Sequence, residues 1–297
     1  MEPKSGFLLI PKKEGISSSK LLGKVKWELE LGKKTPLGHA GTLDPLASGL
    51  IFAAYGYCTS FMQYIELEPK TYEVEIKLGF RSFTDDNEGP IYYHRKLAHP
   101  DFLKKRIELF LNEYVTPCKF KQLSPWISAK SSGGKKHYNL ARQKGILSRT
   151  KKEVLLENIK LLSFLGDTLS LELSCGTGFY VRSIVRELGE YLGTGAFITK
   201  LHRSRLGDFK CPENIKSLSI ASTIKNLDWE ILSESKIQKL SHGQFIKADV
   251  RAADTRFWAL GEEKLIQCLQ SPGQIMPKRV IRAEKNTCKE LLNLIKG

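Results

Sequence analysis

The chain has 297 residues, 41% of them hydrophobic, which suffices for one large domain or for a large and a small one. Lysine and arginine number 47 against 32 aspartates and glutamates, a formal net charge of +15 that points to a polyanion, most simply nucleic acid. No apolar run nears the roughly 20 residues that span a bilayer, and the first residues do not read as a signal peptide. The six cysteines (58, 118, 175, 211, 268, 288) lie far apart without a C-x-x-C pair, which argues against a disulfide framework or zinc site; a protein of the reducing cytoplasm is expected.

In chain order, Gly6–Ile10 is an apolar run suited to a buried strand, and Lys12 to Gly15 reads as a turn. Ser17 and Ser18 can cap a helix that carries Leu21, Leu22, Val25 and Leu29 on one face. A glycine-rich stretch runs from Gly38 to Gly49. Its Asp44-Pro45 pair is by itself a good helix start, the acid capping free N–H groups and the proline fitting the first turn. A further helix is predicted near Thr59–Ile65. Lys70–Leu78 alternates strictly, with Tyr72, Val74, Ile76 and Leu78 on one side of a half-buried strand. Asp85 to Gly89 reads as a solvated acidic turn, since it lacks the spacing of a calcium loop. Phe102–Leu111 is an amphipathic helix.

Val115 to Lys152 contains no acid and ten basic residues, with Trp126, His137 and Tyr138 interleaved around Ser131-Ser-Gly-Gly134. A run this long with one sign repels itself without a partner, so a nucleic-acid-binding arm is expected, with steep salt dependence of binding. Glu153–Phe164 and Thr168–Cys175 form a hairpin around Gly166-Asp167. Gly176-Thr-Gly178 is a weak phosphate-loop signal before a helix through Val181, Ile184, Val185 and Leu188. Ala196–Leu206 is a strand, and Asn214–Asp228 a helical connection. From about Lys236 short β-like pieces separated by glycines suggest a small β-rich appendage.

The stretch Gly38-His-Ala-Gly-Thr-Leu-Asp-Pro-Leu-Ala-Ser-Gly49 resembles the catalytic motif of the bacterial TruB family, the tRNA pseudouridine-55 synthases. Lys70-Thr-Tyr72, Ser128-Ala-Lys130 with Gly134-Lys-Lys136 and Tyr138, Gly178-Phe-Tyr-Val-Arg-Ser-Ile184 and Leu201-His-Arg203 match it too, in order and separation. Lys12-Lys13 departs from it, standing where the family usually has Lys-Pro.

The resemblance implies an α+β protein. It would have a mixed α/β catalytic domain on a long antiparallel sheet (1–235), an RNA-gripping insertion at about 119–152, and a small β-rich PUA-like domain (236–297). It implies that a uridine in the T-loop of tRNA becomes pseudouridine, without cofactor or metal, in a protein that is by default a monomer. By motif position Asp44 is the nucleophile, Tyr72 the aromatic partner and base, and Arg182 the ion-pair partner of Asp44. His39, Tyr180 and Leu201 contact the target nucleotide, and Lys130, Lys135, Lys136, Arg142 and Arg203 contact RNA.

The chemistry suits these types. A carboxylate can attack carbon and later leave, adding at C6 or acting at C1′. Burial disfavours its charged form, whereas an adjacent guanidinium, always charged and able to make two contacts, favours it. A tyrosine ring can hold the base by stacking while the glycosidic bond is open, and its phenol can take the C5 proton. A non-catalytic RNA-binding protein of the same fold explains the charge equally well, but not Asp44, Tyr72 and Arg182 in motif context. A phosphotransferase or methyltransferase is disfavoured, since neither an Asp-x-Asp pair nor a Walker-type loop is present.

Overall fold

A computed structural model describes residues 5–125, 131–132, 135–136, 150–248 and 255–296. The large sheet is built on strands buried on both faces. In β1 (Gly6–Lys12) Leu8 and Ile10 enter one core while Phe7 and Leu9 enter another. The run Leu50–Ala54 divides in the same way: Ile51 and Ala53 face one side, Leu50, Phe52 and Ala54 the other. A run apolar on both faces is stable only as a central strand, so this segment is β3 (Ser48–Tyr55) rather than a helix begun at Asp44-Pro45. Asp44 therefore caps no helix.

In chain order, α1 (Ser18–Glu28, capped by Ser17) and β2 (Leu37–Ala40) precede β3. Two 3-10 turns, Gly56–Ser60 and Met62–Tyr64, stand where a helix was expected. Then come β4 (Lys70–Leu78), a ribbon of β5 (Phe80–Ser82) and β6 (Ile91–Tyr93), α2 (Pro100–Asn112) and β7 (Cys118–Leu123). A two-residue hairpin, β8 (Ser131–Ser132) and β9 (Lys135–Lys136), leads to the long hairpin β10 (Lys151–Leu165) and β11 (Thr168–Cys175). Next are α3 (Val181–Leu192), β12 (Ala196–Leu206) and β13 (Phe209–Lys210). The sheet runs β14-β1-β3-β12-β4-β11-β10-β7, with β2 and β13 on its sides. Every pairing in it is antiparallel except β12 with β3, where Arg203 lies opposite Gly49.

The predicted helical connection 214–228 holds instead β14 (Lys216–Leu218), paired to β1, and one short helix, α4 (Ile220–Ile224). A second sheet orders β15 (Trp229–Ile231), β17 (Thr255–Leu260), β18 (Lys264–Ser271), β19 (Gln274–Arg282) and β16 (Ile246–Lys247). Its first strand precedes the expected 235/236 boundary. Helices α5 (Glu234–Ser241) and α6 (Lys285–Lys296) belong to this part and were not read from the sequence. Helices α1, α2 and α3 pack on one face of the large sheet through Leu22, Val25, Ile107, Phe110, Ile184 and Leu188. The other face shares a core with the second sheet, where Phe61 meets Trp258 at 4.5 Å between ring centroids. No helix among the described residues is long and apolar enough to cross a membrane.

Candidate active site

Asp44 lies on the loop between β2 and β3, and that loop is tied down by directional bonds from three other elements. Ser18, at the start of α1, donates through Oγ to Leu43 O (2.9 Å) and accepts from Leu43 N (3.1 Å). Lys12, expected in a turn, is buried at the end of β1, and its Nζ donates to Pro45 O (3.1 Å), Lys13 O (3.1 Å) and Ala47 O. Burial lowers its pKa below the ordinary lysine value, opposed by Glu88, Asp44 and Glu14 nearby. Arg203 on β12 donates to Gly41 O (2.8 Å) and, through Nε and Nη2, to Leu50 O (2.8 and 2.7 Å).

Two glycines make this possible. Gly41 has φ +74°, and a Cβ there would come within 3.1 Å of Arg203 Nη1. Gly49 has φ +108°, and a Cβ there would overlap the amide nitrogen and carbonyl oxygen of Arg203.

Arg182, in the first turn of α3, meets the loop. Its Nη2 is 2.9 Å from Asp44 Oδ2, with the arginine side chain 7% exposed and the aspartate 31%. Its Nη1 reaches Asp86 Oδ2 at 3.3 Å and donates to Thr84 O at 3.1 Å. Asp86 is 1% exposed and also accepts from Thr84 Oγ1 and Glu88 N. One turn further along α3, Arg186 pairs with Asp85 at 2.6 Å. The predicted solvated acidic turn is thus half buried and holds two arginines. Asp85 has φ +62°, a left-handed kink that sends the two successive carboxylates to two different partners.

Asp44, Tyr72, Tyr180, Arg182, Leu201 and Arg203 all line one open cavity of about 290 Å³. Tyr72 is half-buried on β4, its pKa raised by burial and pulled back chiefly by Arg203. Leu201 is a buried wall residue on β12. Lys70 also lines the cavity; its Nζ donates to Thr177 Oγ1 (3.0 Å), and burial lowers its pKa against the pull of Glu68.

His39 and Arg203 differ from the other expected contacts. His39, on β2, is not among the cavity's lining residues; its Nδ1 is buried without a hydrogen-bond partner among the described residues, and burial followed by Arg203 lowers its pKa. Arg203, expected to meet RNA, is 1% exposed with its guanidinium engaged by two backbone carbonyls, because the parallel β12–β3 joint needs a donor there. Lys130 and Arg142 lie outside the described residues, and of Lys135 and Lys136 only the backbone, in β9, is described.

Asp85, Asp86, Lys12 and Gln122 were missed as part of this site. Lys12 and Gln122 carry a readable signal: each places a polar side chain on the inward face of a strand, Gln122 after Cys118 and Phe120 in β7.

The family model for TruB family pseudouridylate synthase (N terminal domain) matches residues 30–181. Proteins named tRNA pseudouridine synthase B are similar along nearly the whole chain. That of Pseudomonas fluorescens is 32% identical over 94% of this chain and 96% of its own length. That of Pseudomonas aeruginosa is 31% identical over the same shares. Among solved structures, a chain of a Cbf5–Nop10–Gar1 complex matches with TM-score 0.60 at 16% identity, covering 95% of this chain and 86% of that one. A chain of the archaeal box H/ACA sRNP Nop10–Cbf5 complex matches with TM-score 0.59, also at 16% identity, over 95% and 88%. These two likenesses concern the fold. Matched by the family model over half its length and by relatives above 30% identity over 94% of it, the chain belongs to the TruB family of pseudouridylate synthases.

Proposed function

We propose that this protein converts uridine-55 in the T-loop of tRNA to pseudouridine, with Asp44 as nucleophile. The observation that carries the reading is the Asp44–Arg182 pair, 2.9 Å apart in the wall of a cavity that also contains Tyr72. The names of the relatives supply the substrate class. Asp44 adds at C6 or C1′ and is later expelled; the N1–C1′ bond breaks, the freed base turns, C5 joins C1′, and the proton lost from C5 is matched by one gained at N1. Arg182 pairs with Asp44 at 2.9 Å and fixes where its carboxylate points. Tyr72 stacks on the base; burial favours its neutral phenol, and Arg203 beside it partly offsets this towards the phenolate that would take the C5 proton.

The base must first leave the RNA stack, at a cost of a few kcal/mol offset by contacts to RNA. Tyr180 and Leu201, in the cavity wall, receive the flipped nucleotide. Lys130, Lys135, Lys136 and Arg142 hold the folded RNA through its phosphates, and the β-rich part 236–297 adds a further RNA contact. The enzyme works as a monomer without cofactor or metal.

The test is tritium release from a T-arm stem-loop carrying C5-labelled uridine. The wild type releases tritium, and Asp44→Ala lowers release by at least about a thousandfold while binding the same RNA. A wild type that releases nothing ends the proposal, and an active Asp44→Ala ends the assignment of the nucleophile.

A further inference from the structure

Helix α3 begins without the usual means of fixing a helix start. Tyr180, in the capping position, makes no side-chain cap bond, and the first turn carries no acid. Its start is set from outside. Gln122, 2% exposed near the end of β7, accepts from Tyr180 N through Oε1 (2.8 Å) and donates from Nε2 to Tyr180 O (3.1 Å). One buried amide thereby holds both backbone groups of the residue that stands two before Arg182. The next residue, Leu123, accepts through its carbonyl from Ser183 Oγ (2.8 Å) and Arg186 Nη2 (3.1 Å). All four bonds join β7 to residues 180–186, the stretch that delivers both arginines to the aspartates.

The four bonds differ in what depends on them. Val181, Ile184, Val185 and Leu188 bury the apolar face of α3 in the main core, and the two bonds to Leu123 O are independent of the glutamine side chain. Removing the amide therefore leaves the helix docked but loosens the chain's entry into it at Tyr180, two residues before Arg182. Arg182 reaches Asp44 at 2.9 Å and Asp86 at 3.3 Å with two arms of one rigid guanidinium. A shift of its backbone has to be taken up by the side-chain torsions or by lengthening one of those contacts, because the guanidinium itself is rigid.

We propose that Gln122 is a positioning residue for the reaction, fixing through both backbone groups of Tyr180 the place from which Arg182 holds Asp44. This rests on the proposed isomerisation. The side chain is not itself among the residues lining the cavity; it acts through the backbone of Tyr180 and the helix that follows.

The test compares wild type with Gln122→Met, which fills the same space without hydrogen bonds, and with Gln122→Glu. In single-turnover reactions on the T-arm stem-loop, Gln122→Met slows isomerisation roughly 10- to 100-fold. Its dissociation constant for that RNA stays within about twofold of wild type. Gln122→Glu is rescued at low pH: a neutral carboxyl can donate to Tyr180 O as the amide does, whereas an ionised one cannot, so its rate relative to wild type falls as pH rises.

An unchanged rate in Gln122→Met overturns the proposal. So does a loss of rate matched by loss of RNA affinity or of folded protein, and so does a pH-independent Gln122→Glu. The guanidinium NMR signals of Arg182, recorded without RNA, separate this outcome from a failure of the proposed reaction. They move in Gln122→Met whether or not the wild type turns over the stem-loop, and unmoved signals overturn the proposal by themselves.

Discussion

The loop that carries Asp44 and the joint that carries the second sheet are held by opposite means. The loop contributes Leu43 and Leu46 to the core, but its path is set by Ser18, Lys12 and Arg203 bonding to named carbonyls. The joint is mainly aromatic and aliphatic, with Gln267 donating one side-chain bond across it to Tyr64 OH. Trp258 lies 4.5 Å from Phe61, 5.9 Å from Tyr64 and 6.1 Å from Trp229 between ring centroids, with Leu260, Leu265 and Ile281 around them. Apolar contact is non-directional and tolerates small sliding, whereas a hydrogen bond fixes distance and angle. A carboxylate that must meet one carbon atom is served by the second kind of support, and an appendage that only has to stay attached is served by the first.

Breaking the polar side has the largest expected effect. Gly49→Ala drives a methyl group into the backbone of Arg203 at a left-handed φ, so it costs more than about 4 kcal/mol of stability and removes turnover with it. Thermal unfolding and tritium release on the same preparation check this; a stable, active Gly49→Ala would mean that the β3–β12 joint is looser than its close backbone approach implies. Breaking the apolar side costs less and costs something different. Trp258→Ala loses about 3 kcal/mol in unfolding measurements, yet its rate at saturating RNA stays near the wild-type value. A collapse of that rate would show that the chemistry depends on the second sheet.

The smallest effect sharpens the contrast through one thiol on each side. Burial pushes Cys175, beneath the site, up to about 12 and Cys288, in α6, up to about 11, from an ordinary value of 9.0. An unfolded thiol gives up its proton first, so the stabilisation is complete below about pH 9 and is lost as pH rises towards the folded values. Denaturation midpoints between pH 8 and 11 should fall, and Cys175→Ala should flatten the slope more than Cys288→Ala. Equal slopes in all three proteins would mean that neither thiol sets the dependence.

Much of this was readable in the residues, and the gaps have physical causes. The strict alternation of Lys70–Leu78, the doubly apolar Gly6–Ile10 and the Gly166-Asp167 turn state their structures locally, and each is found as read. Asp44-Pro45 misled because a capping pair needs a helix after it, and the run Leu50–Ala54 is instead buried on both sides by strands distant in sequence. Asp85 and Asp86 looked like solvated turn residues because their partners lie on a helix about a hundred residues later. Motif position gave Arg203 as an RNA contact, and nothing in the neighbouring residues says that its side chain is enclosed. Only the parallel pairing of β12 with β3 encloses it. The motif residues Asp44, Tyr72, Tyr180, Arg182 and Leu201 do share one cavity, although separate stretches of the chain supply them.

The left-handed kink at Asp85 turns the 84–86 loop into a gauge for helical pitch. Neighbouring carboxylates serve Arg182 and Arg186, guanidinium groups four residues and about one 5.4 Å turn apart, so the tripeptide measures one rise of α3. A gauge of this kind tolerates no change of count. One inserted or deleted residue between Ser82 and Glu88 would leave both cations mismatched together, whereas the exposed ribbon just beyond, at Ile91–Tyr93, is free to lengthen.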